Sequence, residues 1–163
     1  MSSFLLLQQD FEVIVDYAHT PSSFETIFPP LRKRCKGKII SLFGSGGERD
    51  TKKRSVQGEI ASKWCDIVIL ADEDPRGEDP VELLEMIASG CKDENGNPLK
   101  REERLFIIPD RKKAIRKAFS LAKKDDIVLL LGKSHENSII YKDYVMPYDE
   151  ISEAEKALKE MGF

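Results

Sequence analysis

Five short apolar runs recur along the chain: "FEVIVDY" (11–17), "KIISLF" (38–43), "DIVILA" (66–71), "RLFIIP" (104–109) and "DIVLLL" (126–131). They are rich in Val and Ile and nearly continuous, so both faces of each run are apolar. Strands buried on both sides of a parallel sheet read this way, whereas half-exposed strands alternate with polar residues. Between the runs the spacing changes to that of helices. Pro21 after Thr20 and Pro80 after Asp79 each place a proline at the first helical position behind a capping residue. In 110–124, Ala114, Ile115, Ala118, Phe119 and Ala122 share one stripe, with lysines and arginines opposite. In 149–162, Asp149 caps a helix whose apolar positions are Ile151, Ala154, Leu158 and Met161, and Gly162 ends it. Pro29 and Pro30 together predict a break in the first helix.

Strand followed by helix, five times over, predicts a doubly wound α/β fold with a mostly parallel sheet. "SIIYKDYVMPY" (138–148) leaves that rhythm. Two β-rich runs around Lys142 and Asp143 predict an antiparallel hairpin at one edge of the sheet. "CKDENGNPLKRE" (91–102) reads as an exposed loop. The 163 residues suffice for a single domain over 1–163 with one core. A net charge of −3 gives no basic field, which excludes nucleic-acid binding by bulk electrostatics. No apolar run approaches the roughly 20 residues needed to span a bilayer. "FLLL" (4–7) is too short for a signal-peptide core and lacks a basic flank. Cys35, Cys65 and Cys91 are scattered and odd in number, as in a cytoplasmic protein with reduced thiols.

The candidate chemistry lies where the strands end. "DYAHTP" (16–21), "GSGGERD" (44–50), "DEDPR" (72–76), "PDR" (109–111) and "GKSHE" (132–136) each follow one apolar run. In a parallel sheet these loops leave at the carboxyl edge, where open α/β folds bind ligands. Both histidines, His19 and His135, and three arginines, Arg49, Arg76 and Arg111, fall in this set. Taken singly, most of the loops have a structural use. Gly44, Gly46 and Gly47 suit a tight strand-to-helix turn as well as a phosphate cradle, and no G-x-x-x-x-G-K-[ST] occurs anywhere. Asp16 and His19 suit an acid–base pair, but Thr20 and Pro21 suit helix capping equally. Two isolated histidines without H-x-x-x-H spacing predict no metal site. "DEDPR" is the exception: three carboxylates beside an arginine at a proline-stiffened turn are costly unless something binds them.

Together, "VDYAHTP" (15–21), "FGSGGERDTKKR" (43–54), "DEDPRGEDP" (72–80), "IPDR" (108–111) and "GKSHE" (132–136) resemble the C-terminal domain of the Mur ligases. The resemblance runs from about Phe11 to the C-terminus in order and spacing. It is strongest to the MurE branch, which joins a diamino acid to UDP-N-acetylmuramoyl-L-alanyl-D-glutamate in peptidoglycan precursor synthesis. It implies a Rossmann-like domain that closes over a central ATPase domain, with an N-terminal domain for the UDP-sugar. Neither of those two is expected in this chain. ATP and Mg2+ are implied for the full-length enzyme, with none bound tightly by this domain alone and no catalytic residue in it. The implied partners are the diamino acid, directly, and ATP and the UDP-MurNAc-dipeptide through the other domains, in a cytoplasmic monomer without nucleic-acid or membrane contacts. By the same resemblance Arg49, Glu73, Asp74, Pro75, Arg76, Gly132 and Glu136 match the amino-acid pocket, and Asp16, His19, Lys53 and Arg54 face ATP. Two departures stand out: the family's usual "DNPR" is "EDPR" here, and its "GKGHE" is "GKSHE".

Two other readings compete. One is another ligase of the superfamily, of the folylpolyglutamate or cyanophycin synthetase type, although "EDPR" followed by "GKSHE" fits a diamino-acid enzyme better. The other is a nucleotide-binding module that catalyses nothing. Lacking a P-loop, the chain alone is expected to be inactive.

Overall fold

The computed structural model describes residues 3–5 and 7–163. Eight strands and five helices follow one another as β1 (Ser3–Leu5), β2 (Glu12–Asp16), α1 (Pro21–Arg34), β3 (Ile39–Phe43), α2 (Lys52–Trp64), β4 (Ile67–Leu70), α3 (Pro80–Ala88), β5 (Leu105–Ile107), α4 (Arg111–Leu121), β6 (Ile127–Leu131), β7 (Ser138–Ile140), β8 (Val145–Pro147) and α5 (Glu150–Glu160). Six strands form one sheet in the order β1-β2-β6-β3-β4-β5, and β7 and β8 form a second sheet of two. β2, β6, β3, β4 and β5 run parallel, so the five predicted strands share a carboxyl edge.

The continuous apolar runs are buried on both faces, as their composition requires. In β6, Ile127, Leu129 and Leu131 face a core shared with Phe24 and Phe28 of α1, Ala61 of α2 and Ile87 of α3. Val128 and Leu130 face the opposite core, with Ile115 and Phe119 of α4 and Ala157 and Leu158 of α5. Three helices therefore cover one face and two the other.

Three expectations change. The first helix runs unbroken through Pro29 and Pro30. Two lost N–H donors weaken its ladder, but Phe24, Phe28 and Leu31 on the buried stripe span the prolines and hold the helix on the sheet. The hairpin is antiparallel, with Ile139 opposite Met146, yet it stands apart from the main sheet. The antiparallel edge strand is instead β1, where Phe4 pairs with Ile14. β1 overlaps "FLLL" at Phe4 and Leu5, and Leu6 is outside the described residues. No helix among the described residues is long and apolar enough to cross a membrane. The cysteines are free, and burial pushes the Cys65 and Cys91 thiols up to about 12, which leaves both unreactive.

Candidate functional site

The carboxyl-edge loops meet one another. The Asp72 N–H donates to the Pro109 carbonyl (2.9 Å) and the Gly132 N–H to the Asp16 carbonyl (3.0 Å). The glycine-rich loop seats the 72–76 turn by close backbone approach. The Gly47 N–H donates to the Asp74 carbonyl (2.6 Å). A Cβ on Gly47 would stand 1.7 Å from the Pro75 carbonyl oxygen, so only glycine fits.

Around this junction lies a cleft of about 480 Å³ whose lining includes Tyr17, His19, Arg49, Lys53, Glu73, Asp74, Arg76 and Glu136. Of the residues matched to an amino-acid pocket, Arg49, Glu73, Asp74, Arg76 and Glu136 line it directly. Gly132 lies just behind. Its φ of 101° is open to glycine, and a Cβ there would be 2.5 Å from a Glu73 carboxylate oxygen. Pro75 contributes its backbone beneath Gly47. Of the residues matched to ATP, His19 and Lys53 line the same cleft. Asp16 lies at the end of β2, where its Oδ1 accepts from the Ala18 N–H (2.8 Å). His19 presents Nδ1 to the Tyr17 carbonyl (2.9 Å), and Thr20 with Ser23 forms a reciprocal cap on α1.

Arg54 does not join the cleft. Its guanidinium is buried and forks onto Glu78 (2.8 and 2.7 Å), whose carboxyl it holds down at about 2. Arg111 is also buried and serves as a staple under the edge. It pairs with Glu150 and donates to the carbonyls of Asp72 and Leu131 (3.0 and 2.8 Å).

The crowded carboxylates of 72–76 draw their partners from this chain. Asp74 Oδ1 accepts from the buried Lys133 ammonium and from the Ile140 N–H, both at 2.9 Å. Lys133 also reaches Glu136 Oε1 (3.1 Å). Asp72 accepts from the Tyr141 hydroxyl (2.7 Å). Lys133 and Tyr141 were missed because only Gly132 and Glu136 of "GKSHE" match the family's pocket and the hairpin reads as an element at the sheet edge, away from the loops. The available signal was the cost of three neighbouring carboxylates. By contrast, Arg49 and Arg76 have no carboxylate partner among the described residues; Arg76 Nη1 donates only to the Gly47 carbonyl (3.1 Å). Arg76 has φ 54° and Ser134 φ 44°, a region that costs a residue with a Cβ about 1–3 kcal/mol. Ser134 is the position where the family pattern has glycine.

Glu73 is open to the cleft on one side and desolvated on the other. Burial pushes its carboxyl up to about 6, against the opposing charges of Arg111, Lys133 and His19. Only the ionised carboxylate offers an ammonium a negative charge as well as an acceptor. The negative charge that Glu73 offers the cleft should therefore be present above about pH 6 and be lost as the pH drops through that value. An NMR titration of the Glu73 side chain from pH 4 to 8 should show the step, and Glu73→Gln should remove it.

Residues 4–134 match the family described as "Mur ligase, glutamate ligase domain". The chain belongs to the Mur ligase family. The Mur ligase domain described here is 69% identical over 153 residues to the UDP-N-acetylmuramyl-tripeptide synthetase of Treponema denticola, covering 92% of this chain and 28% of that protein. A solved UDP-N-acetylmuramoyl-L-alanyl-D-glutamate–2,6-diaminopimelate ligase superposes with a TM-score of 0.87 at 27% identity, covering 99% of this chain and 32% of that one. FolC of E. coli in complex with ADP, at 24% identity and a TM-score of 0.56 over 79% of this chain and 28% of its own, shares the fold alone. This Mur ligase domain thus spans less than a third of the length of the relatives it matches.

Proposed function

We propose that this chain is the amino-acid-binding, C-terminal domain of a cytoplasmic ATP-dependent ligase that joins a diamino acid to UDP-N-acetylmuramoyl-L-alanyl-D-glutamate. The observation that carries this reading is the cleft. Arg49 and Arg76, which have no carboxylate partner among the described residues, share one hollow with Glu73 and Glu136. Guanidinium forks suit carboxylates, and the glutamates suit ammonium groups, so the charge pattern complements a zwitterion carrying a second amine.

Within the ligase, ATP supplies the phosphoryl group that activates the acceptor carboxylate. Lys53 and His19 stand at the cleft wall where nucleotide phosphates would lie, with Asp16 behind them, while Arg54 is committed to Glu78. Magnesium that accompanies ATP is held mainly by the phosphates and by one or two carboxylates, and we assign none of those carboxylates to this domain. This domain's own task is to hold the incoming amine beside the activated carboxylate, where orientation replaces a bimolecular encounter.

The test uses the full-length ligase with ATP, UDP-MurNAc-dipeptide and a diamino acid. Wild type should form the tripeptide. Arg76→Ala should raise KM for the diamino acid by at least about tenfold, the worth of a charge-assisted hydrogen bond, with KM for ATP unmoved. Unchanged amino-acid kinetics would remove Arg76 from the pocket, and no tripeptide from wild type would end the reading.

A further inference from the structure

The segment that carries Arg76 is gripped at every second residue by one strand of the separate hairpin. Asp72 Oδ2 accepts from the Tyr141 hydroxyl (2.7 Å), Asp74 Oδ1 from the Ile140 N–H (2.9 Å), and the Ile140 carbonyl from the Arg76 N–H (2.9 Å). Arg76 and Tyr141 also form an isolated parallel bridge. Only the first of these contacts is made by a side chain of the hairpin. Asp72 is buried, and its other carboxylate oxygen has no partner among the described residues. Tyr141 is thus the one side chain known to satisfy it. The Tyr141 ring is fixed in turn by stacking on Tyr144 (centroids 4.8 Å apart, planes at 17°).

Arg76 has a left-handed backbone that a non-glycine residue leaves readily unless its surroundings hold it. Its N–H is held by β7, its Nη1 rests on the Gly47 carbonyl, and the glycine loop it rests on is itself seated by Asp74. The placement of the guanidinium therefore depends on the hairpin staying docked.

We propose that Tyr141 is a positioning residue for the amino-acid cleft: its hydroxyl, through Asp72, holds β7 on residues 72–76 and so keeps Arg76 aimed at the substrate. The substrate part of this proposal rests on the function proposed above. Neither Tyr141 nor Asp72 is among the residues lining the cleft, so their effect is exerted through Arg76.

The test is Tyr141→Phe in the full-length ligase, which keeps the ring and its stack and removes only the donor. KM for the diamino acid should rise about tenfold, the usual consequence of stranding a buried charged acceptor. The kcat at saturation and KM for ATP should stay within about twofold. Asp72→Asn, whose amide oxygen still accepts from Tyr141, should retain most of the wild-type KM. Adding it to Tyr141→Phe should not raise KM further. Hydrogen exchange gives a readout independent of the substrate, with the Ile140 and Arg76 amides exchanging faster in Tyr141→Phe. Unchanged KM with unchanged exchange would overturn the proposal. So would a lowered Tm with normal amino-acid kinetics, which would make Tyr141 a structural residue only. If wild type itself forms no tripeptide while the exchange result holds, the functional reading fails and the docking of the hairpin stands.

Discussion

Arg111→Ala is expected to destabilise the domain by about 3–5 kcal/mol, the usual result of removing one partner of a buried ion pair. Arg111 is the first residue of α4, behind the Asp110 cap, and its guanidinium is wholly enclosed. Nε and Nη2 fork onto Glu150 at 3.0 and 2.6 Å, Nη1 donates to the Asp72 carbonyl, and Nη2 donates also to the Leu131 carbonyl. One side chain therefore ties the ends of β4 and β6 to the start of α5. Without it, Glu150 is left in the interior with the Tyr148 hydroxyl as its remaining side-chain donor among the described residues. Domains have only about 5–15 kcal/mol in total. At roughly 2–4 °C per kcal/mol for a chain of this size, Tm should fall by about 6–20 °C. Urea denaturation followed by circular dichroism measures the loss. A value below about 1 kcal/mol would show that the network does not hold the edge together. Replacing Arg111 and Glu150 together by Met and Leu should cost less than Arg111→Ala, because no lone charge is left behind.

What could be read from the sequence followed from how local the signal was. The five parallel strands were legible because burial on both faces forces unbroken apolar runs, and β6 shows why: successive residues feed opposite cores. The caps at Thr20, Asp79 and Asp149 involve neighbours only a few residues away, and the side chains of all three accept from helix N–H groups. β1 was not legible, since a three-residue strand takes its identity from its partner β2. The continuity of α1 through Pro29 and Pro30 depends on tertiary burial of Phe28 and Leu31, which outweighs a local rule. The contrast between Lys53 and Arg54 is sharper. Adjacent helical residues point about 100° apart, so one faces the cleft while the other turns to Glu78, 24 positions away. Loop composition cannot choose between them. The same holds for Lys133, whose use as counter-ion to Asp74 joins loops 59 residues apart.

That ion pair bears on which diamino acid the proposed ligase would take. Asp74 stands in the cleft where the diaminopimelate enzymes of the family usually have asparagine, and it is the carboxylate nearest the Lys133 ammonium, at 2.9 Å against 3.1 Å for Glu136. With asparagine there, Lys133 would keep Glu136 as its counter-ion, and the cleft would lose one negative charge beside Arg76. A substrate with a second carboxylate would be repelled less. With aspartate, Lys133 is shared between two carboxylates, so under the function proposed above the surplus negative charge should favour a side chain ending in an ammonium alone, as in lysine or ornithine. Arg76 pulls the other way, since its guanidinium has no carboxylate partner among the described residues and suits a distal carboxylate. Asp74→Asn should therefore tilt the balance. An interaction with a charged group is typically worth about 1.5–3 kcal/mol, so the ratio of kcat/KM for meso-diaminopimelate to that for lysine should rise between about tenfold and a hundredfold. Competition among lysine, ornithine and meso-diaminopimelate in the full-length enzyme measures this ratio in both forms. A wild-type preference for meso-diaminopimelate would show that Arg76 outweighs the Asp74 charge. A ratio unmoved by Asp74→Asn would show that the Asp74 charge exerts no pull on the substrate.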